Sequence, residues 1–174
     1  MKQEIRIGGT GGMGVVLAGL IIGHAAILSG LNAVQSQSYG SEARGTAAKS
    51  EVIISDGDIH YPEVRRSDIL VAMSQKALDM YLPSAKDDSV VIVDPDLVDS
   101  TGLDSRYQVF SVPAMKTADE LGLRLVSNMV MLGAIAKKIG MISDEALEEA
   151  VKASVPERYL GLNLKAVHAG WNLL

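Results

Sequence analysis

Two kinds of apolar segment alternate along this chain. Short segments rich in Val and Ile read as strands: Glu4 to Ile7, Asn32 to Gln37, Ser50 to Ser55, Asp68 to Met73, Ser89 to Val93, and a more polar one at Arg106 to Phe110. The run Ile69-Leu70-Val71-Ala72-Met73 is continuous rather than alternating, as in a central parallel strand buried on both faces. The polar last strand, ending before Pro113, suits a position near a sheet edge.

Longer segments read as helices. Val15 to Leu28 is apolar on every side, which predicts a helix covered by a sheet on one face and by something else on the other. Gly19 and Gly23 lie one turn apart on it and would let a strand or a partner come close, and Gly30 is its expected stop. Ser74 caps a helix over Gln75 to Leu82 that ends at Pro83. Helices follow at Ala114 to Leu121, at Asn128 to Ile139 with Ser127 as its cap and Gly140 as its stop, after Ser143, and at Asn163 to Trp171. Strands alternating with helices predict an α/β, Rossmann-like fold: an open, mostly parallel sheet with right-handed crossovers and helices on both faces. Residues 1–174 show no internal repeat, low-complexity linker or charge block, so one domain is expected.

The first strand and the first helix are joined by Gly9-Thr10-Gly11-Gly12-Met13-Gly14. Glycines permit positive φ and close approach, and the N–H groups that open the next helix carry the positive end of its dipole. Such a turn suits a phosphate or a carboxylate. A dinucleotide-binding unit would add an acid at the end of the second strand, but Gln35, Ser36 and Gln37 stand there and the first acid is Glu42. The polar loop Ser38 to Thr46 holds Tyr39, Glu42 and Arg44 and is expected beside the glycine turn. Arg44 suits an anion, or forms a solvated pair with Glu42.

Composition removes several classes of function. A net charge of -5, one Phe and one Trp argue against a nucleic-acid surface. With no cysteine, the chain can form no disulfide, thiolate nucleophile or cysteine-held cluster. No signal-like leader is visible, and Val15 to Leu28 is too short to span a bilayer, so a cytoplasmic, membrane-free protein is expected. His24, in the most apolar helix, reads as a core or interface histidine, and His60 and His168 belong to no triad. Asp56-Gly57-Asp58 is too short for a calcium loop and reads as a hairpin turn, while Met129 and Met131 read as packing residues. No metal-ligand set and no catalytic residue is expected.

Together, the glycine string, Ser38-Tyr39-Gly40-Ser41-Glu42-Ala43-Arg44-Gly45, Val52 to Ser55, Asp68 to Ala72, Asn128 to Ala134 and the segment from Asn163 to Gly170 resemble the gamma subunit of thiamine-dependent 2-oxoacid:ferredoxin oxidoreductases. The pairing of the glycine string with Tyr-Gly-x-Glu-x-Arg-Gly at this separation is the specific part, and Thr46 departs from it where a second glycine is common. The resemblance implies a subunit, inactive alone, of an enzyme that turns a 2-oxoacid, coenzyme A and oxidised ferredoxin into acyl-CoA, CO2 and reduced ferredoxin. It implies thiamine diphosphate, magnesium and iron–sulfur clusters in thiamine-binding and ferredoxin-like partner subunits, with 2-oxoglutarate the first expectation for the substrate. Gly9, Gly11, Gly12, Met13, Gly14, Tyr39, Glu42, Arg44 and Gly45 are then expected at the coenzyme A approach or at the subunit interface. A stand-alone nucleotide-binding protein or an NAD-dependent oxidoreductase is the alternative, weakened by the missing acid.

Overall fold

The structure is a computed structural model that describes residues 1–40 and 46–174. Six strands form one open sheet in the order β2-β3-β1-β4-β5-β6. They are β1 (Lys2–Thr10), β2 (Asn32–Tyr39), β3 (Ala47–Ser55), β4 (Ser67–Ala72), β5 (Ala85–Val93) and β6 (Gln108–Ser111). β1, β4, β5 and β6 pair in parallel, and β3 runs antiparallel between β1 and β2. The predicted α/β class holds, with one feature the alternation of segments did not show. The connection after β2 is too short for the dozen or more residues that a parallel crossover needs, so β2 and β3 pair as a hairpin. Asp56-Gly57-Asp58 is therefore not a hairpin turn: it opens the loop that carries the chain from β3 to β4, on opposite sides of β1.

Helices cover both faces, unequally. On one face α1 (Val15–Leu28), α3 (Ala114–Glu120), α4 (Ser127–Ile139), α5 (Asp144–Ser154) and α6 (Glu157–Trp171) share the larger core with Ile5, Ile7, Ile54 and Val71. The other face carries α2 (Gln75–Tyr81) and its following short 3-10 turn over Leu70, Ala72, Val91 and Val93. Beside α2, Arg6 of β1 is buried with Glu51, its ladder partner on β3, at 2.7 Å. Its guanidinium also donates to Ser84 Oγ and to the Val64 carbonyl, so the buried charge is paired and hydrogen-bonded as its burial demands.

The bounds of α1 match those read from the sequence, and Ser74 and Ser143 cap α2 and α5 through their hydroxyls as expected. Ser127 does not cap α4. A 3-10 turn, Arg124–Val126, runs directly into the helix, so Ser127 is already inside it. α6 begins at Glu157, a turn and a half before the segment its apolar pattern marked. Met129 and Met131 are core residues, while His24 is exposed, which excludes a core role for it.

α4 is the helix most enclosed by others, and two glycines let it sink. A Cβ on Gly133 would lie 1.9 Å from the Val167 carbonyl oxygen of α6, and one on Gly170 would lie 1.7 Å from that of Val130. These are backbone neighbours that no rotamer change can move, so α4 and α6 meet main chain to main chain. Gly133→Ala is expected to cost at least about 1–3 kcal/mol in urea unfolding, the range for overpacking. Gly161 on α6 faces open space, and Gly161→Ala should instead stabilise by about 0.5–1 kcal/mol.

Candidate functional site

Five strands, β1, β2, β4, β5 and β6, end at the same edge of the sheet, where the glycine turn also lies. β1 continues through Gly8, Gly9 and Thr10, so the turn proper is Gly11 to Gly14. The Gly11 N–H donates to the Thr46 carbonyl at 2.9 Å, and that of Met13 to Thr10 at 3.2 Å, which tie the turn to the hairpin side and to itself. Gly12 and Gly14 have φ of 89° and 74°, in the left-handed region. At Gly14 space is also short: a Cβ there would stand 2.4 Å from Asn128 Nδ2 in the first turn of α4.

The turn separates two hollows. One, of about 320 Å³, is lined by Thr10, Gly11, Gly12, Gly14, the first residues of α1 and Tyr39. Tyr39 therefore stands beside the glycines as expected, with 61% of its surface exposed. Glu42, Arg44 and Gly45 lie outside the described residues, and Thr46, the departure from the family pattern, is buried.

The second hollow, about 280 Å³, lies between the turn and the start of α4. Its apolar wall takes one side chain from the segment after each parallel strand: Met13 after β1, Met73 after β4, Leu97 after β5 and Met115 after β6. Thioether and leucine side chains make a surface that adapts to a flexible guest. The rim is polar on the side of Arg124, Ser127 and Asn128, and Leu125, 80% exposed, stands at its mouth. Arg124 makes an exposed 3.2 Å pair with Asp119.

One buried carboxylate shapes this hollow. Asp94, 1% exposed at the end of β5, accepts from the Asp96 N–H at 3.0 Å and from the Met115 N–H at 2.8 Å. Its backbone carbonyl accepts from Leu97 and Val98. Asp94 thus holds the β5 loop and the start of α3 together, and Leu97 and Met115 reach the hollow from those two segments.

Electrostatically the site favours an anion. No side chain caps α1, the 3-10 turn or α4, and none of the three has an acid in its first turn. The N-terminal end of α1 then offers unshared donors and positive dipole charge at the glycine turn. Gly11, Gly12, Met13, Gly14 and Tyr39 are brought together here. Gly9, inside β1, is packed under Met13, Val15 and Met73 and supports the turn from below. Met73, Leu97, Met115 and Arg124 carried no signal for the site, since they come from separate segments and form no motif, and Asn128 entered only as the start of a helical segment resembling the family. Asp94-Pro95 marked only the end of a strand.

Among the described residues no dinucleotide site is formed. β3 separates β1 from β2, so the end of β2 is not the neighbour that would hold a ribose hydroxyl, and Gln37, Ser38 and Tyr39 supply no acid there. Among the described residues no three His, Asp or Glu side chains stand together as a metal-ligand set, and no helix is long and apolar enough to cross a membrane.

Comparison with known proteins agrees with this architecture over almost its whole length. The family model for pyruvate ferredoxin/flavodoxin oxidoreductase matches residues 4–173. The 2-oxoglutarate synthase subunit KorC of Methanothermobacter marburgensis is 48% identical over 181 residues, which span 100% of this chain and 97% of that protein. The crystal structure of a keto/oxoacid ferredoxin oxidoreductase gamma subunit from Geobacter sulfurreducens is 44% identical and superposes with a TM-score of 0.86, covering 98% of this chain and 97% of that one. A 2-oxoglutarate:ferredoxin oxidoreductase from Magnetococcus marinus, with 2-oxoglutarate, coenzyme A and succinyl-CoA bound, is 24% identical and shares the fold at a TM-score of 0.91, over 99% of this chain and 31% of that one. From the match over residues 4–173 and the close similarity to a gamma subunit, this chain belongs to the pyruvate ferredoxin/flavodoxin oxidoreductase family, as a gamma subunit of the 2-oxoacid:ferredoxin oxidoreductases.

Proposed function

We propose that this subunit serves an enzyme that converts 2-oxoglutarate, coenzyme A and oxidised ferredoxin into succinyl-CoA, CO2 and reduced ferredoxin, and that the edge bearing the glycine turn lines the approach of coenzyme A. The choice of 2-oxoglutarate follows the 48% identical subunit of Methanothermobacter marburgensis. The observation that carries the coenzyme A role is the two-part character of the site. An uncapped, acid-free helix start and Arg124 face one side, and an adaptable wall of Met13, Met73, Leu97 and Met115 faces the other. Coenzyme A has the matching halves: phosphates that accept from backbone N–H groups and guanidinium, and a flexible arm that carries the thiol.

In this reading Gly12, Gly14 and Arg124 hold charge, the methionine wall guides the arm, and Tyr39 closes the side toward the hairpin. Glu42, Arg44 and Gly45 lie outside the described residues, and Arg44 is proposed as a second cation for coenzyme A. Gly9, Gly11 and Met13 fix the turn. Subunit contact at this rim and coenzyme A approach are compatible, because a reacting thiol must pass between subunits to reach a centre this chain lacks.

The other cofactors are assigned to partner subunits. Iron–sulfur clusters need thiolates, and the chain has no cysteine. Asp56-Gly57-Asp58, the one acidic pair around a glycine, lies at the opposite end of the sheet from the glycine turn and does not converge with it. Thiamine diphosphate, bound with its magnesium in its own subunit, supplies the carbanion-stabilising chemistry of decarboxylation. The contribution of this chain is to bind, orient and exclude water.

Two outcomes test the reading. In the assembled enzyme, Arg124→Ala and Arg44→Glu should each raise the KM for coenzyme A roughly tenfold, about 1.4 kcal/mol of a charge-assisted contact, and leave the KM for 2-oxoglutarate unchanged. If the complex assembles and its coenzyme A dependence does not move, the coenzyme A role is wrong. Gly14→Ala should destabilise the chain by about 1–3 kcal/mol through the Asn128 contact and the positive φ, and Asn128→Ala should recover the part due to the amide, while the tight contact with its Cβ at 3.0 Å and the backbone strain stay. Denaturant unfolding of the two single variants and the double variant reads that coupling directly.

A further inference from the structure

The outer edge of β2 is open, and its backbone geometry is self-complementary. The Gly40 N–H donates to the Ala47 carbonyl at 2.8 Å, which fixes the alternation of the β2–β3 ladder. The pair next to that bond, Tyr39 and Ala48, is then an open pair, as is every second pair along the strand. Ala33, Gln35, Gln37 and Tyr39 consequently turn both their N–H and their C=O away from β3, toward the free edge. Among the described residues no strand pairs with that edge. It also lacks the usual protection, because Asn32 to Tyr39 contains no charge and no proline.

We infer that two copies of this chain join through β2, antiparallel, about a two-fold axis at Ser36, to make one continuous sheet. Ser36 is the midpoint of the outward set, so the axis places Ala33 opposite Tyr39 of the second copy and Gln35 opposite Gln37. Every outward N–H and C=O then finds a partner. An isologous contact sets each patch against itself, so any charge near the axis would meet its like. Here none does. Across the ladder a small residue meets a large one, and amide side chains meet amides. The pairing leaves both copies of α1 on the same face of the joined sheet. α1 borders β2 along its length, through Val16 and Leu17 beside Tyr39 and through Ile27 beside Ala33. Its outer stripe, Leu20 and Ile27 at 49% and 57% exposure, continues the uncharged surface, with the exposed His24 between them. An apolar helix with one stripe left uncovered next to an unprotected strand edge gives the second copy a reason to stay.

The absence of native cysteine allows a clean test. In this register Ser36 faces its own copy in an open pair, with Cα atoms about 4.5 Å apart, inside the disulfide range. Ser38 faces Val34, and its own copy is roughly 13 Å away. The purified full-length chain should therefore sediment at twice 18.4 kDa. Ser36→Cys should oxidise to a linked dimer, and Ser38→Cys should not. As a second arm, Ser36→Asp and Ser36→Lys should each give folded monomers, by circular dichroism and sedimentation, and their mixture should restore the dimer. A mass of 18.4 kDa at all concentrations, as expected if a different subunit owns this edge, overturns the inference. So does equal cross-linking at Ser36 and Ser38, or a dimer that Ser36→Asp leaves intact. None of these readouts depends on coenzyme A.

Discussion

The contact between the backbones of α4 and α6 is the constraint from which the rest of the molecule follows. With no side chain at Gly133 or Gly170, the two helices meet at a separation that any Cβ would forbid. α4 can then lie deep in the larger core, with Met129 through Ala136 buried without interruption. Its first turn is brought against the loop after β1, where Asn128 touches Gly14. Glycine contacts within two turns of Asn128 along α4 thus bear on how near its first turn comes to the start of α1.

What distinguishes that site is a choice of which helices are capped. α2 and α5 each begin with a serine whose hydroxyl accepts from the helix backbone; α5 starts at the far end of α1, and α2 starts beside Met73 with one of its opening donors already engaged. α1, whose first turn frames the hollow, has no such cap, while at the start of α4 the preceding 3-10 turn takes up the Ser127 N–H. An uncapped start leaves donors to be satisfied by water or by a guest. The polar side of the hollow therefore combines the free backbone that opens α1 with Arg124, Ser127 and Asn128, and its apolar side is made of residues that each strand end contributes singly.

Much of this was legible in the sequence, and for physical reasons. Val15 to Leu28 could be bounded because it begins at a glycine turn and ends at Gly30, where no ordinary residue continues the helix easily. Ser74 and Ser143 were readable because a cap is a local bond between a hydroxyl and an N–H three residues on. Ser127 looked the same and behaved otherwise, because the 3-10 turn before it supplied the helix start, and propensity does not separate the two. The antiparallel place of β3 was hidden because the apolar pattern ends β2 at Gln37 and starts β3 at Ser50, about a dozen residues apart, whereas the paired strands extend through polar residues to Tyr39 and from Ala47. The hollow itself was beyond reach: Met73, Leu97, Met115 and Arg124 become neighbours only through the order of the strands. His24 shows the converse. An all-apolar helix predicted cover on every side, and one stripe of it is bare in the single chain.

Asp94 adds a mechanical property to this arrangement. A single carboxylate, enclosed by protein, holds two segments by their N–H groups, and each segment sends one residue to the wall of the hollow. Its two oxygens are set by one rigid group, so the segments cannot move apart without stripping a buried anion of its donors. The backbone segments that carry Leu97 and Met115 are therefore tied to one group. The side chains of this wall adapt to a guest while the two backbone segments beneath them stay anchored at the end of β5, one strand in from the edge of the sheet.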